Sequence, residues 1–516
     1  MATQAEGNAP FAIASSIIWS IALKSIVKTP LPNFSFIYCT AKICTLQGTM
    51  MSKRTGICYN RHITTTWMKG SVLLMYTTDT IAAPATAPGQ GGIAIIRVSG
   101  PEAESMMRTL FDRQGEYESH KMYYGHLYMD GEMLDECMCV LMRAPRTYTR
   151  EDVCEFHLHG GSYASRRVLD ALYALGARAA DPGEFTRRAF LNGRIDLSRA
   201  EAVMSIISSE GDRAARAAMR QLQGGVNSFI KNAQEQLLTI LSGVEAALDY
   251  PEEISDEEAY TALEASALSL AEQLENACDE RGARILEEGL QVVLCGKPNV
   301  GKSSILNALL GQERAIVTSI PGTTRDIVQG SIQLDGVKVN LSDTAGLRDG
   351  SDEVEKIGID RARRAIAHAD VTVVVLDAAL PLDDEDMRLL HETENGDRIV
   401  VLNKIDRMPA MAKLPLRDAL YVSARTGEGM DALSRAIAAF AANAGQSELS
   451  ESRHMALARQ AAQHLRNAAN VCRSGEAVDL AAIDLHDALL CLARITGDRV
   501  DEKLLDDIFS RFCVGK

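Results

Sequence analysis

The chain has 516 residues, of which 46% are hydrophobic and 24% charged, and its formal net charge is -15. This length exceeds what one hydrophobic core usually holds, so several domains are expected. The negative charge argues against a protein that coats nucleic acid by charge alone, but it leaves room for a local basic site. The eleven cysteines show no zinc-type pairing. They indicate reduced thiols in a cytoplasmic protein, and no membrane association is expected.

Residues 1–74 differ from the rest of the chain, because they hold both tryptophans but only one acidic residue, Glu6. The apolar run at residues 11–23 is too short to span a bilayer, and no basic flank precedes it. Such an acid-poor segment is compatible with an organelle transit peptide. We favour an extension that is not part of the fold and is disordered, with Met75 as an alternative start.

The remaining chain changes its pattern three times. Residues 75–192 mix strands and helices, with a glycine turn at Gly91 and Gly92 before an apolar strand. Residues 193–289 are rich in alanine and leucine at helical spacing, which predicts long helices. Strands and helices alternate in residues 290–445, which is typical of a mostly parallel sheet covered on both faces. Helices return in residues 446–516. The predicted fold is therefore an α/β domain inserted in a helical domain, with an α+β domain before it.

A phosphate-binding loop stands between a predicted strand and a predicted helix of the α/β domain. Its residues fit the pattern G-x-x-x-x-G-K-S, and they are Gly296, Lys297, Pro298, Asn299, Val300, Gly301, Lys302 and Ser303, followed by Ser304. Backbone amides and the helix N-terminus would surround phosphate oxygens. Lys302 should reach the β- and γ-phosphates, and the Ser303 hydroxyl should hold Mg²⁺.

Two further segments are placed to respond to the γ-phosphate. The first is a loop that consists of Thr318, Ser319, Ile320, Pro321, Gly322, Thr323 and Thr324. The second follows a strand and consists of Asp343, Thr344, Ala345 and Gly346. Thr324 can close over Mg²⁺ and Asp343 can approach it, while the Gly346 amide can sense the γ-phosphate.

Two segments near the end of the α/β domain predict guanine specificity. Asn403, Lys404 and Asp406 follow one strand, and Ser423, Ala424 and Arg425 follow the next. The Asp406 carboxylate can accept two hydrogen bonds from guanine, which adenine cannot offer. The Ala424 amide can meet the guanine carbonyl oxygen. Together with the preceding segments, this order predicts GTP binding and hydrolysis.

The source of catalysis is left open by Leu347. GTPases of the Ras type have a water-orienting glutamine at this position, and an apolar side chain cannot align water. The missing function can come from elsewhere on the chain, from a second subunit or from an extra cation. Asn299 can supply an oxygen ligand for a monovalent cation, although it can equally be an ordinary turn residue.

Several motifs together resemble one family. They are the run PGEFTRRAFLNGRIDL at residues 182–197, GTTRD at 322–326, DTAGLR at 343–348 continuing to SDEVE at 351–355, and the terminal FCVGK at 512–516. Over about residues 75–516 the chain is similar to the MnmE (TrmE) family of tRNA-modification GTPases. The resemblance implies a folate-binding N-terminal domain that dimerises, a helical domain and an inserted GTPase domain.

The family resemblance also implies a reaction and its partners. With a FAD-containing partner, the MnmG (GidA) flavoprotein, such proteins install an aminomethyl or carboxymethylaminomethyl group on the wobble uridine of certain tRNAs. The one-carbon unit comes from a folate such as 5-formyltetrahydrofolate. GTP hydrolysis is faster when two GTPase domains face each other with potassium bound.

The resemblance assigns ligands and catalytic groups to numbered positions. The implied potassium ligands are Asn299, Thr318, Ile320 and Thr323, and the implied magnesium ligands are Ser303 and Thr324. The implied folate contacts are Arg97, Glu155, Arg194 and Lys516. The general catalytic residue falls on Glu355, which otherwise reads as an acid that favours a helix start.

Several other positions remain open between a functional and an ordinary role. Arg348 is either a switch-loop contact or a surface arginine, and Cys513 is either a group that acts on the modification intermediate or a plain thiol. The terminal sequence CVGK superficially resembles a prenylation signal, but its last two residues fit such a signal poorly. We therefore favour a tail that reaches the folate site. His157 and His159 alternate along a strand without an apparent third metal ligand, which favours a loop that lines the folate pocket.

A second class of function competes with tRNA modification. A GTPase of this type can act as a switch in ribosome assembly and perform no covalent chemistry itself. Such proteins usually carry a compact module rich in lysine and arginine, whereas the helical segments here are acidic. The flanking domains therefore favour the modification enzyme.

Overall fold

A computed structural model describes residues 79–249, 256–312, 330–343, 364–408, 416, 418–474 and 478–516, together with the backbone of four strands between residues 34 and 77. These four strands are β1 (Phe34–Thr40), β2 (Ile57–Asn60), β3 (Ile63–Met68) and β4 (Ser71–Thr77). They form an antiparallel sheet in the order β1-β4-β3-β2. The expectation for residues 1–74 stays a prediction. Met75 lies within β4, opposite Phe36.

Two further sheets and a set of helices follow in chain order. The strands are β5 (Ile81–Pro84), β6 (Ile93–Ser99), β7 (Lys121–Met129), β8 (Glu132–Met142), β9 (Val153–His159), β10 (Arg178–Ala179), β11 (Leu290–Cys295), β12 (Gly330–Leu334), β13 (Val337–Asp343), β14 (Val371–Asp377), β15 (Arg398–Asn403) and β16 (Leu420–Tyr421). The helices are α1 (Ala103–Leu110), α2 (Ser162–Ala174), α3 (Glu184–Leu191), α4 (Leu197–Ser208), α5 (Asp212–Leu222), α6 (Gly225–Asp249), α7 (Asp256–Asn276), α8 (Glu280–Glu288), α9 (Lys302–Gln312), α10 (Asp384–Glu392), α11 (Met430–Ala439), α12 (Ser452–Ser474), α13 (Val478–Thr496) and α14 (Glu502–Ser510).

The chain divides into two compact units. The first contains residues 1–194 and 502–516, and the second contains residues 195–501. In sequence, α14 and the tail follow the second helical segment, and by their contacts they belong to the first unit. Phe512 packs so closely against Gly183 that a Cβ added at Gly183 would lie 2.8 Å from Cβ of Phe512. Arg187 pairs with Asp506 at 2.9 Å. The C-terminal residues therefore complete the N-terminal unit.

The N-terminal unit is built on a six-stranded sheet in the order β10-β5-β6-β9-β8-β7. All its pairs are antiparallel except β5 with β10. Alternation along β9 turns Cys154, Phe156 and Leu158 towards α1 and α2, where they join the buried core. Glu155 and His157 consequently lie on the other face of the sheet.

The second unit begins with a helical bundle. Helices α6, α7, α12 and α13 share one alanine- and leucine-rich core, as the sequence pattern predicted. Burial alone would raise the pKa of Glu201 on α4, but hydrogen bonds from His454 and Arg453 hold that pKa at about 2. Arg453 also donates to the carbonyls of Arg494 and Ile495. This charged cluster joins the start of α12 to α4 and to the end of α13.

Three arginines follow one another at seven-residue spacing along α12. Each meets an acid on α7 or α8, in the pairs Arg459–Glu280, Arg466–Glu275 and Arg473–Glu264. The ladder fixes how the helices align, and it neutralises charges that would otherwise form a basic stripe.

The α/β domain of the second unit has the predicted doubly covered sheet. Its strand order is β12-β13-β11-β14-β15-β16, with every pair parallel except the hairpin β12–β13. The buried strand β14 carries six consecutive aliphatic or β-branched residues before Asp377, which suits a central parallel strand. Because parallel strands end at the same edge, the loops after β11, β14, β15 and β16 gather there.

Arg213, near the start of α5, joins the helical bundle to this α/β domain. Its guanidinium donates to the carbonyls of Ala441 and Ala442, both at 2.7 Å, just beyond the end of α11. It also pairs with Asp335 at the tip of the β12–β13 hairpin, while its backbone amide donates to Gly336. A cation at a helix C-terminus is electrostatically favourable, so this contact holds two parts of the unit together.

Arg213→Ala is expected to lower the free energy of unfolding by about 1–3 kcal/mol, because it removes charge-assisted hydrogen bonds to the carbonyls of the buried Ala441 and of Ala442. Urea denaturation followed by circular dichroism measures the change. The matched control is Arg216→Ala one helical turn later, whose side chain is largely exposed and lies 3.9 Å from Asp212. That control should change stability by less than about 0.5 kcal/mol. Equal effects of the two substitutions would contradict the assigned contact.

Candidate functional site

The loop between β11 and α9 forms a phosphate cradle. Gly301 has a φ of 98°, and a Cβ at that position would lie 2.3 Å from Nδ2 of Asn403. Asn299 also adopts a positive φ of 65°, which asparagine tolerates better than most residues. The loop therefore needs both residue types for its shape, in addition to any contact with a ligand.

Lys302 and Ser303 lie at the start of α9, where the sequence placed the phosphate and magnesium contacts. The Lys302 ammonium is buried and donates to the carbonyls of Gly296 and Lys297 at 3.0 and 2.9 Å. The Ser303 hydroxyl donates to Oδ2 of Asp343, at the end of β13, over 2.8 Å. Hydroxyl and carboxylate oxygens are the ligand types that Mg²⁺ prefers, so this pair fits a magnesium ion.

The Asn403 amide connects three parts of the nucleotide site. Its Nδ2 donates to the carbonyl of Val300 at 2.9 Å, and its Oδ1 accepts from the backbone amide of Ala424 at 3.1 Å. Next to it, Lys404 donates to the carbonyl of Asn299 at 2.5 Å and pairs with Asp377 at 2.7 Å. The phosphate loop and the two predicted guanine-binding segments are thus brought together.

Asp406 is held as an anionic acceptor beside these segments. The Ser423 hydroxyl donates to its Oδ1 at 2.8 Å, and Arg425 lies 3.0 Å from its Oδ2. The Ser423 hydrogen bond, with a smaller contribution from Arg425, lowers the pKa of Asp406. An ionised carboxylate in this position can accept the two N–H groups of guanine.

A large part of the predicted GTPase site lies outside the described residues. This set contains Thr318, Ser319, Ile320, Pro321, Gly322, Thr323, Thr324, Thr344, Ala345, Gly346, Leu347, Arg348 and Glu355. The roles predicted for these residues therefore stay predictions. Ser304, by contrast, lies within α9 directly after Ser303.

The N-terminal unit brings the predicted folate contacts together around Tyr148. Arg97 on β6 pairs with Glu155 on β9 at 2.8 Å and donates to the carbonyl of Gly515 at 3.2 Å. Its guanidinium carbon lies 5.6 Å from the centroid of the Tyr148 ring, and that of Arg194 lies 4.7 Å from the same centroid. The last residue, Lys516, follows Gly515 directly, so the tail reaches the Arg97–Glu155 pair.

Sequence reasoning missed Tyr148 and the role of its neighbours in this cluster. The Tyr148 hydroxyl lies 2.8 Å from Oγ1 of Thr186, and the Phe185 ring centroid lies 5.6 Å from the Arg97 guanidinium. Phe185 and Thr186 fall inside the distinctive run at residues 182–197, which was the available signal. Tyr148 lies in an irregular loop, where no periodicity distinguishes it.

A network of buried ion pairs supports the cluster around Tyr148. Arg188, which is 1% exposed, contacts Asp79, Glu151 and Glu184 at 2.6, 3.2 and 2.9 Å. Burial alone would raise the pKa of Glu184, but hydrogen bonds and charges from Arg178 and Arg188 lower it. Since a buried charge without partners is costly, these acidic and basic residues form an interdependent set. Much of the distinctive run at residues 182–197 therefore has a structural role.

The cysteines and the two strand histidines show no metal centre among the described residues. Burial raises the pKa of the Cys137 thiol to about 12 and raises that of Cys154 further, which makes both poor nucleophiles. Cys513 differs because it is exposed on the C-terminal tail. His159 pairs with Asp135 at 2.8 Å, and His157 lies 3.5 Å from Glu155 on the face that carries Arg97.

The strand order, the cradle after β11 and the Asn403–Asp406 segment define a P-loop GTPase domain. Comparison with known proteins also covers residues on both sides of this domain. The family model for the MnmE helical domain matches residues 197–513, and that for the GTP-binding protein TrmE N-terminus matches residues 80–194.

Curated relatives match almost from end to end. A protein named tRNA modification GTPase MnmE from Symbiobacterium thermophilum is 45% identical over 85% of this chain and 99% of its own length. One of the same name from Geobacter sulfurreducens is 43% identical over 86% of this chain and 100% of its own. The chain belongs to the MnmE family.

Among solved structures, the G domain of the T. maritima FeoB iron transporter is 30% identical. The match covers 30% of this chain and 98% of that domain, with a TM-score of 0.23. In the described part of the protein, no helix has both the length and the apolarity that a bilayer crossing requires.

Asp406→Asn is expected to move base preference from guanine towards xanthine, because an amide presents one donor where the carboxylate presents only acceptors. Competition of GTP and XTP for a fluorescent nucleotide measures the shift. The control Asp418→Asn changes an acid of the same domain outside the Asn403–Asp406 segment, and it should leave the preference unaltered. An unchanged preference in Asp406→Asn would show that base recognition is wrongly assigned.

Proposed function

We propose that the protein is a GTP-hydrolysing tRNA modification enzyme of the cytoplasm. With a FAD-containing partner of the MnmG type, it adds an aminomethyl or carboxymethylaminomethyl group to the wobble uridine of certain tRNAs, using a folate-derived one-carbon unit. Membership of the MnmE family supports this proposal. The observation that carries it is the cluster of Arg97, Glu155, Arg194 and the C-terminal tail, in a chain that also holds a guanine-type nucleotide site.

We assign each residue of the nucleotide site a role in binding GTP and its cations. Lys302 would contact the phosphates, Asp406 would bind the base, and Ser303 with Thr324 would hold Mg²⁺, which stabilises charge on the phosphates when bound. We assign potassium to Asn299, Thr318, Ile320 and Thr323. The buried Lys302 and the Ser303–Asp343 pair lie at one edge of the sheet, which supports their joint action.

Water activation is assigned to Glu355, with Arg348 as a further switch-region contact. Leu347 follows the glycine where a polar side chain would be needed to orient water, so another group must do this. We propose that two copies of the chain pair through their GTPase domains during hydrolysis. Pairing would exclude water from the phosphates and strengthen every charge interaction there.

The charged and aromatic groups of the N-terminal cluster are of the kinds that a folate would contact. Arg97 and Arg194 can meet the carboxylates of the folate's glutamate, while the Tyr148 ring offers an aromatic surface and Glu155 an acceptor. Lys516 adds a further cation at the end of the tail. We assign chemistry on the modification intermediate to Cys513, which is exposed three residues before Lys516.

Reconstitution with the flavoprotein, tRNA, GTP and 5-formyltetrahydrofolate tests the proposal directly, with modified uridine measured by nucleoside mass spectrometry. Arg97→Ala should abolish most modification and weaken folate binding at least about tenfold, because it removes a charge-assisted contact. Arg166→Ala, an exposed arginine on α2, is the matched control and should behave as wild type. GTP hydrolysis without any modified uridine or folate binding would instead favour the ribosome-assembly switch.

GTP turnover in potassium should exceed turnover in sodium by about fivefold or more, because a cation of the right size beside the phosphates offsets developing charge. Steady-state phosphate release at matched ionic strength measures the ratio. Rubidium, which is close to potassium in size, is the control and should support turnover. Equal rates in sodium and potassium would remove the cation site.

Glu355→Ala should bind GTP as tightly as wild type but lose most of its turnover, about a hundredfold, because general-base assistance is lost. Single-turnover hydrolysis and equilibrium binding separate the two effects. Glu353→Ala, two residues earlier in the same segment, is the matched control. If Glu355→Ala stays within about twofold of wild-type turnover, another group activates the water.

A further inference from the structure

Lys297, the second residue of the phosphate loop, makes contacts that the GTPase motif does not explain. Its ammonium lies 2.6 Å from Oδ2 of Asp383 and 2.7 Å from Oδ2 of Asp386. The Lys297 side chain is 20% exposed and that of Asp386 is 6% exposed, so the second pair is largely shielded from water. The Lys297 side chain thus links the phosphate loop to the start of α10.

The two aspartates already serve the helix that follows them. Oδ1 of Asp383 accepts from the amides of Glu385 and Asp386 at 3.0 and 3.1 Å, and the Asp383 amide donates to Asp386. This reciprocal capping stabilises α10 without Lys297. In contrast, Oδ1 of Asp386 is buried and has no hydrogen-bond partner among the described residues.

Four consecutive acids, residues 383–386, begin α10 beside the phosphate loop. Acids suit a helix N-terminus, but here they adjoin a loop that must receive a polyanion. The hydrogen bond from Lys297 lowers the pKa of Asp383. Hydrogen bonds to Asp383 and Asp386 in turn raise the pKa of Lys297. The lysine is therefore the cation that faces this acidic group from the loop side.

The backbone of Lys297 also helps to hold the Lys302 side chain in place. The Lys302 ammonium is held by the carbonyls of Gly296 and Lys297, which are the residues on either side of one peptide bond. Fixing the Lys297 side chain against α10 fixes that peptide bond. The anchor and the phosphate-binding lysine are thus linked through two bonded residues.

We propose that Lys297 is a positioning residue for nucleotide binding, which pins the phosphate loop to α10 and neutralises Asp383 and Asp386 so that the triphosphate is not repelled. The inference rests on the proposed binding of GTP. Its first consequence is that loss of the charge weakens GTP binding more than GDP binding, since GTP carries more negative charge. Its second is that the loss is larger at low ionic strength, where charges are screened less.

The test compares Lys297→Met with Lys297→Arg in the full-length protein, using fluorescent GTP and GDP analogues. Ionic strength is varied between about 20 and about 300 mM with sodium chloride at constant potassium. Lys297→Met should raise the Kd for GTP about tenfold at low ionic strength and about threefold at high ionic strength, whereas Lys297→Arg should stay within about threefold of wild type. Lys338→Met, on the β12–β13 hairpin, is the control and should leave Kd unaltered.

Neutralising the acids gives the decisive comparison. Asp383→Asn and Asp386→Asn keep capping groups of the same shape, because asparagine also caps helices. Added to Lys297→Met, they should abolish the dependence of the GTP penalty on ionic strength and leave the roughly threefold penalty that comes from the lost anchor. A penalty in this triple variant that still grows at low ionic strength, or a Lys297→Met protein that binds GTP normally at low ionic strength, overturns the inference. A wild-type protein that binds no GTP would instead overturn the proposed function itself.

Discussion

The nucleotide site depends on one buried amide, that of Asn403. Its donor is satisfied by the phosphate loop and its acceptor by the segment after β16, so two loops far apart in sequence share one side chain. A buried amide left without these partners would cost about 1–3 kcal/mol. The same amide leaves no room for a Cβ at Gly301. Phosphate binding and base binding are therefore constrained to one geometry before any ligand arrives.

Charge is treated differently in the two functional regions. At the nucleotide site, cations such as Lys404 are paired with acids at the rim, and the loop itself is held by backbone carbonyls. In the N-terminal unit, a buried network centred on Arg188 supports a more open group of arginines above it. The first arrangement shapes a cradle, while the second holds cations available to a ligand. In each region, the arrangement follows from which charged side chains the surrounding chain buries.

The sequence was most informative where chemistry fixes residue type and spacing. The cradle from Gly296 to Ser303 and the Asn403–Asp406 segment lie where their motifs predicted, because parallel strands deliver their loops to one edge. Tyr148 was missed, since an aromatic residue in an irregular loop has no periodic signal. The switch residues, including Glu355, lie outside the described part of the chain, and their roles rest on sequence.

The family resemblance identified residues 182–197 as distinctive but gave no reason for each letter. The structure separates that run into two groups. Glu184 and Arg188 belong to a buried ion network, while Phe185 and Arg194 face the Arg97 cluster. Similarly, the sequence could not show that Lys297 reaches across to α10, because the partners are about ninety residues away.

The return of α14 and the tail to the N-terminal unit has a consequence for how the protein is made. Residues 79–194 leave the ribosome about 300 residues before the last segment, which at about 5–20 residues per second is a delay of tens of seconds. During this time Gly183 lacks Phe512 and Arg97 lacks its contact with Gly515. The N-terminal unit can complete these contacts only after residues 502–516 have been synthesised. Its cluster of arginines is thus assembled last, after the nucleotide domain has had time to fold.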